Sequence, residues 1–260
     1  MSVWETIRSL LNQLPQGVAI VPAANPVLIL KTGSTFDELV RAKGDFEHWT
    51  ASGMGLDFGQ VGFADVRKGD PLPAPGKLAG CVITGSHDMV TDDADWMLAA
   101  GRWLALAHEA GLPLLGICFG HQLMAHALGG RAGYHPRGPE IGTVTVTLTP
   151  EAADDPLFSR LPAAFPAHVT HSQTALTLPP NSTILAASDH DPHQAFRLGR
   201  HSWGVQFHPE FDAEATRHYT SAQAAKISEH GGDVPATLAA VTDTPHSAGL
   251  LRLFADYCRG

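Results

Sequence analysis

The sequence predicts an α/β fold whose first half is mostly parallel sheet and whose second half makes an antiparallel excursion. Three observations lead there. Short uninterrupted apolar runs, Val27 to Leu30 (VLIL) and Gly80 to Thr84 (GCVIT), have the composition of strands buried on both faces. Between such runs, Asp92 to Ala110 carries Trp96, Ala100, Trp103 and Ala107 on one helical face and stops at Gly111. After Gly130 the period changes to two: TVTVTLT, Thr143 to Thr149, alternates as a half-exposed antiparallel strand does.

The elements follow in order. Residues 1–24 hold Trp4, Ile7, Leu10, Leu11 and Leu14 at helical spacing and are expected to form an N-terminal accessory helix or extension. No continuous apolar run of signal-peptide length occurs there. Leu112 to Ile117 is the next buried strand after the long helix, and FGHQLMAHAL continues from it as a helix. STILAASD, QAFRLG and SWGVQFH extend the strand series beyond TVTVTLT. With 260 residues, 44% of them hydrophobic, residues 25–260 read as a single domain with one substantial core. A C-terminal tail is expected from about residue 226.

A formal charge of -9, without a long basic run, argues against nucleic acid or an anionic membrane as a partner and suits a small soluble ligand. Three cysteines without a CxxC spacing indicate free thiols, a reducing compartment and hence the cytoplasm. No HExxH or Cys/His quartet is present, so no metal is expected despite fifteen histidines, and His121 and His126 read as packing or surface residues.

Cys118 stands apart from Cys81 and Cys258. In Gly116-Ile117-Cys118-Phe119-Gly120, small residues two before and two after the cysteine allow a strand to turn abruptly into a helix. The residue between them is expected in a strained, exposed conformation. Its sulfur then faces the unsatisfied N–H groups of the helix start, which favour thiolate, and the Phe119 N–H points the same way, toward a developing oxyanion. Cys81 and Cys258 lack this glycine geometry and read as structural thiols. A nucleophilic thiol needs a base, and WGVQFHPEF (Trp203 to Phe211) offers one: Trp203, Val205 and Phe207 turn to the core while His208 and Glu210 emerge together, Pro209 ending regular pairing.

GICFGHQ, a GxCxGxQ motif, and QFHPE ninety residues later resemble the class I glutamine amidotransferases, and the likeness runs from about Val27 to Ala225. Within that family the chain is most similar to stand-alone members related to the amidotransferase domain of GMP synthase. The resemblance implies an open, flavodoxin-like sheet with helices on both faces, and a catalytic triad of Cys118, His208 and Glu210 that hydrolyses the glutamine side-chain amide without a cofactor. It places Gly85, in ITGSHDMV, in the second oxyanion-hole loop beside Phe119, with Ser86 as the alternative donor because the loop lacks the family's Gly-Gly-Pro. It carries substrate contacts to Gln122 and, through THSQTA, to Ser172 and Gln173, where many members have Gly and Asp.

Three functions stay open at this point. The first is a glutaminase subunit feeding ammonia to a synthase partner, since no GxxxxGK[ST] phosphate loop accompanies the motifs. The second is a free-standing hydrolase of γ-glutamyl peptides or amides. The third is a non-catalytic regulatory or binding protein that keeps the fold, against which the intact Cys118, His208 and Glu210 weigh heavily.

Overall fold

A computed structural model of the protein describes residues 25–260. The expected helix over residues 1–24 lies outside the described residues. Four parallel strands come first: β1 (Val27–Lys31), β2 (Gly62–Asp65), β3 (Gly80–Ile83) and β4 (Leu114–Ile117). Almost every residue in them is buried, as continuous apolar runs covered by helices on both faces require. One face packs on α2 (Phe46–Gly53) and the C-terminal helix α8 (Pro245–Arg259), while α1 (Asp37–Lys43) joins α2 in a separate small cluster through Leu39 and Phe46. The other face packs on α3 (Asp95–Glu109) and α4 (Phe119–Ala127).

The second half contributes β5 (Arg131–Tyr134), β6 (Glu140–Leu148), β7 (Ala164–His171), β8 (Gln173–Thr177), β9 (Ser182–Ala187), β10 (Ala195–Leu198) and β11 (Ser202–Val205). Nine strands form one sheet in the order β2-β1-β3-β4-β11-β10-β9-β6-β7, and β5 pairs with β8 separately. The pairs from β11 outward to β7 are antiparallel, whereas β11 itself lies parallel to β4 with Ile117 beside Val205. That one pairing decides where the site forms: residues just beyond β4 and just beyond β11 emerge side by side at the carboxyl edge of the sheet, where ligands of open α/β sheets bind.

Two elements differ from the sequence reading. SWGVQFH does not remain a strand to its end. After Val205 the chain leaves β4, and the His208 N–H instead donates to the His168 carbonyl at 2.8 Å, so His208 and Glu210 sit on irregular backbone. Strand β7 is not evident in the sequence because Pro166 interrupts it; β7 is the last strand of its sheet, a position that tolerates a missing donor.

The stretch from residue 226, expected as a tail, is helical and packed. After α5 (Ala213–Ala222) come α6 (Ala224–Glu229), α7 (Val234–Ala239) and α8, which buries Leu250, Leu251 and Phe254 completely in the core. No helix among the described residues is long and apolar enough to cross a membrane.

Candidate active site

The chain turns from β4 into α4 at Cys118, whose φ of 50° and ψ of -100° lie outside the conformations an L-residue prefers. The flanking glycines make that turn sterically feasible. A Cβ on Gly116 would stand 2.5 Å from the Gly120 carbonyl oxygen, and one on Gly120 would stand 2.5 Å from that of Ile83. The strain anticipated from the sequence is present, but the exposure is not: Cys118 is only 6% exposed. It lies under β7, its Sγ 3.9 Å from the Thr170 carbonyl oxygen, and opens onto a cavity of about 470 Å³. A cavity of that size suits a small-molecule ligand.

His208 reaches the same cavity from beyond β11, buried and stacked on Phe211 with ring centroids 4.1 Å apart. Its Nδ1 lies 2.8 Å from Glu210 Oε1. Burial works against a charge on this ring, yet the Glu210 carboxylate and the Cys118 side chain together override it and raise its pKa to about 10. Nε2 is buried without a hydrogen-bond partner among the described residues. Cys118, His208 and Glu210 are thus brought together, with Glu210 behind the imidazole and away from the cavity wall.

Gly85 follows β3 and touches both. A Cβ there would come 3.2 Å from His208 Cε1 and 4.0 Å from Cys118 Cβ, so a larger residue would crowd the imidazole. The Gly85 carbonyl accepts hydrogen bonds from the Thr32 and Thr84 hydroxyls, each at 3.1 Å. Across a trans peptide the next N–H, that of Ser86, points oppositely, and Ser86 lines the cavity together with Phe119.

Gln122, Ser172 and Gln173 line the cavity as well. Gln122 uses its amide nitrogen on the protein, donating to the Gln173 carbonyl at 2.7 Å and to Gln206 Oε1 at 3.0 Å. The Gln173 side chain donates to the Thr91 hydroxyl at 2.6 Å, and Ser172 Oγ accepts from Lys226 at 3.1 Å. Sequence reasoning does not single out His87, Tyr219 and Lys226, which also border the cavity. His87 Nε2 and Tyr219 Oη are 2.9 Å apart, and the phenol lies 2.9 Å from the Thr35 hydroxyl. Only tertiary contact places Tyr219, on α5, beside a loop more than a hundred residues earlier; His87 is visible in the sequence as part of the departure from the expected loop pattern.

The remaining candidates lie elsewhere. His121 is fully buried against Phe196, and His126 is exposed, 4.0 Å from Asp93. Cys81 and Cys258 are free thiols outside the cavity; burial pushes both upward in pKa, Cys258 to about 12.

The model of the family described as glutamine amidotransferase class-I matches residues 77–226, which enclose the cavity residues from Ser86 through Lys226. The chain belongs to the class-I glutamine amidotransferase family. Among similar proteins, a glutamine-hydrolysing GMP synthase component from Ignicoccus hospitalis is 41% identical over 145 residues, 54% of this chain and 71% of that one. Gamma-glutamyl peptidase 5 of Arabidopsis thaliana is 31% identical over 140 residues, 53% of this chain. The chain spans 56% of the length of that peptidase and 18% of a glutamine-hydrolysing GMP synthase from Thermomicrobium roseum to which it is 44% identical over 102 residues. The fold matches a glutamine amidotransferase crystal structure from Thermotoga maritima with a TM-score of 0.67 at 20% identity, covering 90% of this amidotransferase and 98% of that chain.

Proposed function

We propose that this class-I amidotransferase hydrolyses the side-chain amide of glutamine through a γ-glutamyl thioester on Cys118 and releases ammonia. The observation that carries the reading is the arrangement at the carboxyl edge of β4 and β11. A strained cysteine at a helix start adjoins an imidazole whose Nδ1 is held by Glu210 at 2.8 Å and whose Nε2 has no other partner among the described residues.

The chemistry follows from those positions. The Cys118 sulfur attacks the amide carbon, and the oxygen takes up negative charge facing the Phe119 N–H and the N–H of the Gly85–Ser86 loop. Because Glu210 favours the imidazolium, the proton the departing nitrogen needs is already on His208. The C–N bond breaks, ammonia leaves with that proton, and His208 is neutral. Water then gives a proton to His208 as its oxygen attacks the thioester, the C–S bond breaks, and glutamate departs. Glutamine and water are consumed, glutamate and ammonia are formed, and no cofactor takes part. Gln122, Ser172 and Gln173 form the wall that meets the amino-acid end of the substrate. The ammonia passes to a separate synthase partner. The likeness to the Ignicoccus hospitalis GMP synthase component supports that reading. Three free thiols fit a cytoplasmic setting.

One observation favours a second reading, the hydrolysis of γ-glutamyl peptides or amides. Phe36, Phe46 and Tyr219 extend the cavity as an aromatic wall beside the Ser86–His87 loop, offering apolar surface to a leaving group larger than ammonia. Incubating the chain alone with glutamine and with γ-glutamyl dipeptides, and measuring ammonia or amine released, separates the two. Ammonia release from glutamine supports the first. Rapid dipeptide turnover with negligible glutaminase activity overturns it in favour of the second.

A further inference from the structure

Helix α6 closes the side of the cavity that runs along residues 170–173, and it is fastened there by two side chains. Gln223, just before the helix, donates to the Thr170 hydroxyl, and Lys226 Nζ donates to Ser172 Oγ at 3.1 Å. Lys226 is half-buried, borders the cavity, and among the described residues its ammonium has only neutral acceptors: the Ser172 hydroxyl and Gln223 Oε1 at 3.5 Å. Lys31 and Lys43, by contrast, each pair with two carboxylates. Glu229, one turn further along α6, lines the same cavity yet makes no ion pair with Lys226.

A positive charge left unneutralised in a partly dry cavity attracts an anion far more strongly than one in open solvent. The hydroxyl beside it is suited to help. Ser172 Oγ accepts from Lys226, so its hydrogen is free to donate to a second acceptor. We propose that Lys226, with the Ser172 hydroxyl, receives the α-carboxylate of the γ-glutamyl substrate and so selects for substrates that carry one. The inference rests on the reading that Cys118 cleaves γ-glutamyl amides. It adds a recognition residue that the shared motifs do not supply, on the helix where the family match ends. The geometry orders the wall: Thr170 presents its carbonyl to the Cys118 sulfur and its hydroxyl to Gln223, so the reacting end and the charged end of a ligand meet the same segment.

The test compares L-glutamine with L-glutamine α-amide, which differ only in that carboxylate. A hydrogen bond between charged partners predicts that Lys226→Gln raises KM for glutamine by about tenfold to a hundredfold with kcat little changed. KM for the α-amide should shift by no more than about threefold, the range of an ordinary surface change. Lys226→Arg should restore most of the glutamine affinity, which a purely structural role for the ammonium would not distinguish by substrate. Equal losses on the two substrates overturn the proposal. Calorimetric binding of both ligands to Cys118→Ala and to Cys118→Ala/Lys226→Gln gives the same comparison without turnover. If the wild-type chain hydrolyses neither substrate, the activity reading fails on its own. The calorimetry then decides Lys226: a carboxylate preference lost with the lysine sustains the inference, and no preference refutes it.

Discussion

His208 Nδ1 lies 2.8 Å from Glu210 Oε1, an arrangement that commits one ring nitrogen to a buried carboxylate and leaves Nε2 without a hydrogen-bond partner among the described residues. If His208 transfers the proton and Glu210 orients and supports it, the two residues fail differently. His208→Asn should lower glutamine turnover by about 10²–10⁴-fold, the usual span of general acid–base catalysis, and Glu210→Gln by less. A γ-glutamyl thioester has a leaving group that needs no proton, so His208→Asn should lose much less acylation rate on it than on glutamine. Single-turnover kinetics on both substrates checks this, and equal losses would restrict His208 to activating the sulfur.

The same pair sets a pH window for stability. His208 titrates near 6.5 when unfolded and about 10 when folded, so the stabilisation it provides is complete below pH 6.5 and is lost as pH rises through 10. Glu210→Gln removes the carboxylate that favours the charged ring. The stability difference between wild type and this variant, measured by urea unfolding, should therefore shrink between pH 7 and pH 10.5. A constant difference would mean that the imidazolium is not held by Glu210.

Two other histidines act in the opposite direction at acid pH. Burial pushes His121 and His168 down to about 4, so the fold holds both neutral. Their contribution is complete above pH 6.5 and is lost as pH falls toward 4, because the unfolded chain binds protons there and the folded one does not. Replacing His121 by Phe, which keeps an aromatic ring beside Phe196, should flatten the fall in stability between pH 6.5 and 4.5. An unchanged slope would assign the acid sensitivity elsewhere.

The strained turn yields a prediction in which stability and activity part. At φ 50° and ψ -100°, glycine is unstrained and alanine is not, so Cys118→Gly should be more stable than Cys118→Ala by about 1 kcal/mol while both lack turnover. Gly120→Ala should cost about 1–3 kcal/mol, because its Cβ would meet the Ile83 backbone. Chemical denaturation of the three variants measures both effects.

The motif-bearing half of the site is legible in the sequence because backbone geometry is written locally. Gly116 and Gly120 announce the turn at Cys118, and apolar runs announce the strands that carry it. Alternation along a strand points to His208 and Glu210, although the strand ends at Val205 and their contact is made on irregular backbone. What the sequence does not display is what crosses the cavity. Tyr219 meets His87, and Lys226 meets Ser172, through the packing of helices on distant strand ends, and no local pattern encodes that contact. Burial of the cysteine is hidden for the same reason: β7, disguised by Pro166, lies over it.

A covalent γ-glutamyl intermediate on Cys118 can be trapped by acid-quenching the protein during turnover of glutamine and mapping the adduct by mass spectrometry. One glutamyl group, labile to hydroxylamine as a thioester is, is expected on the peptide containing Cys118. It should persist in Cys81→Ala and Cys258→Ala and be absent in Cys118→Ala. Undiminished glutamine hydrolysis by Cys118→Ala, with no adduct on any cysteine of the wild-type chain, would contradict it.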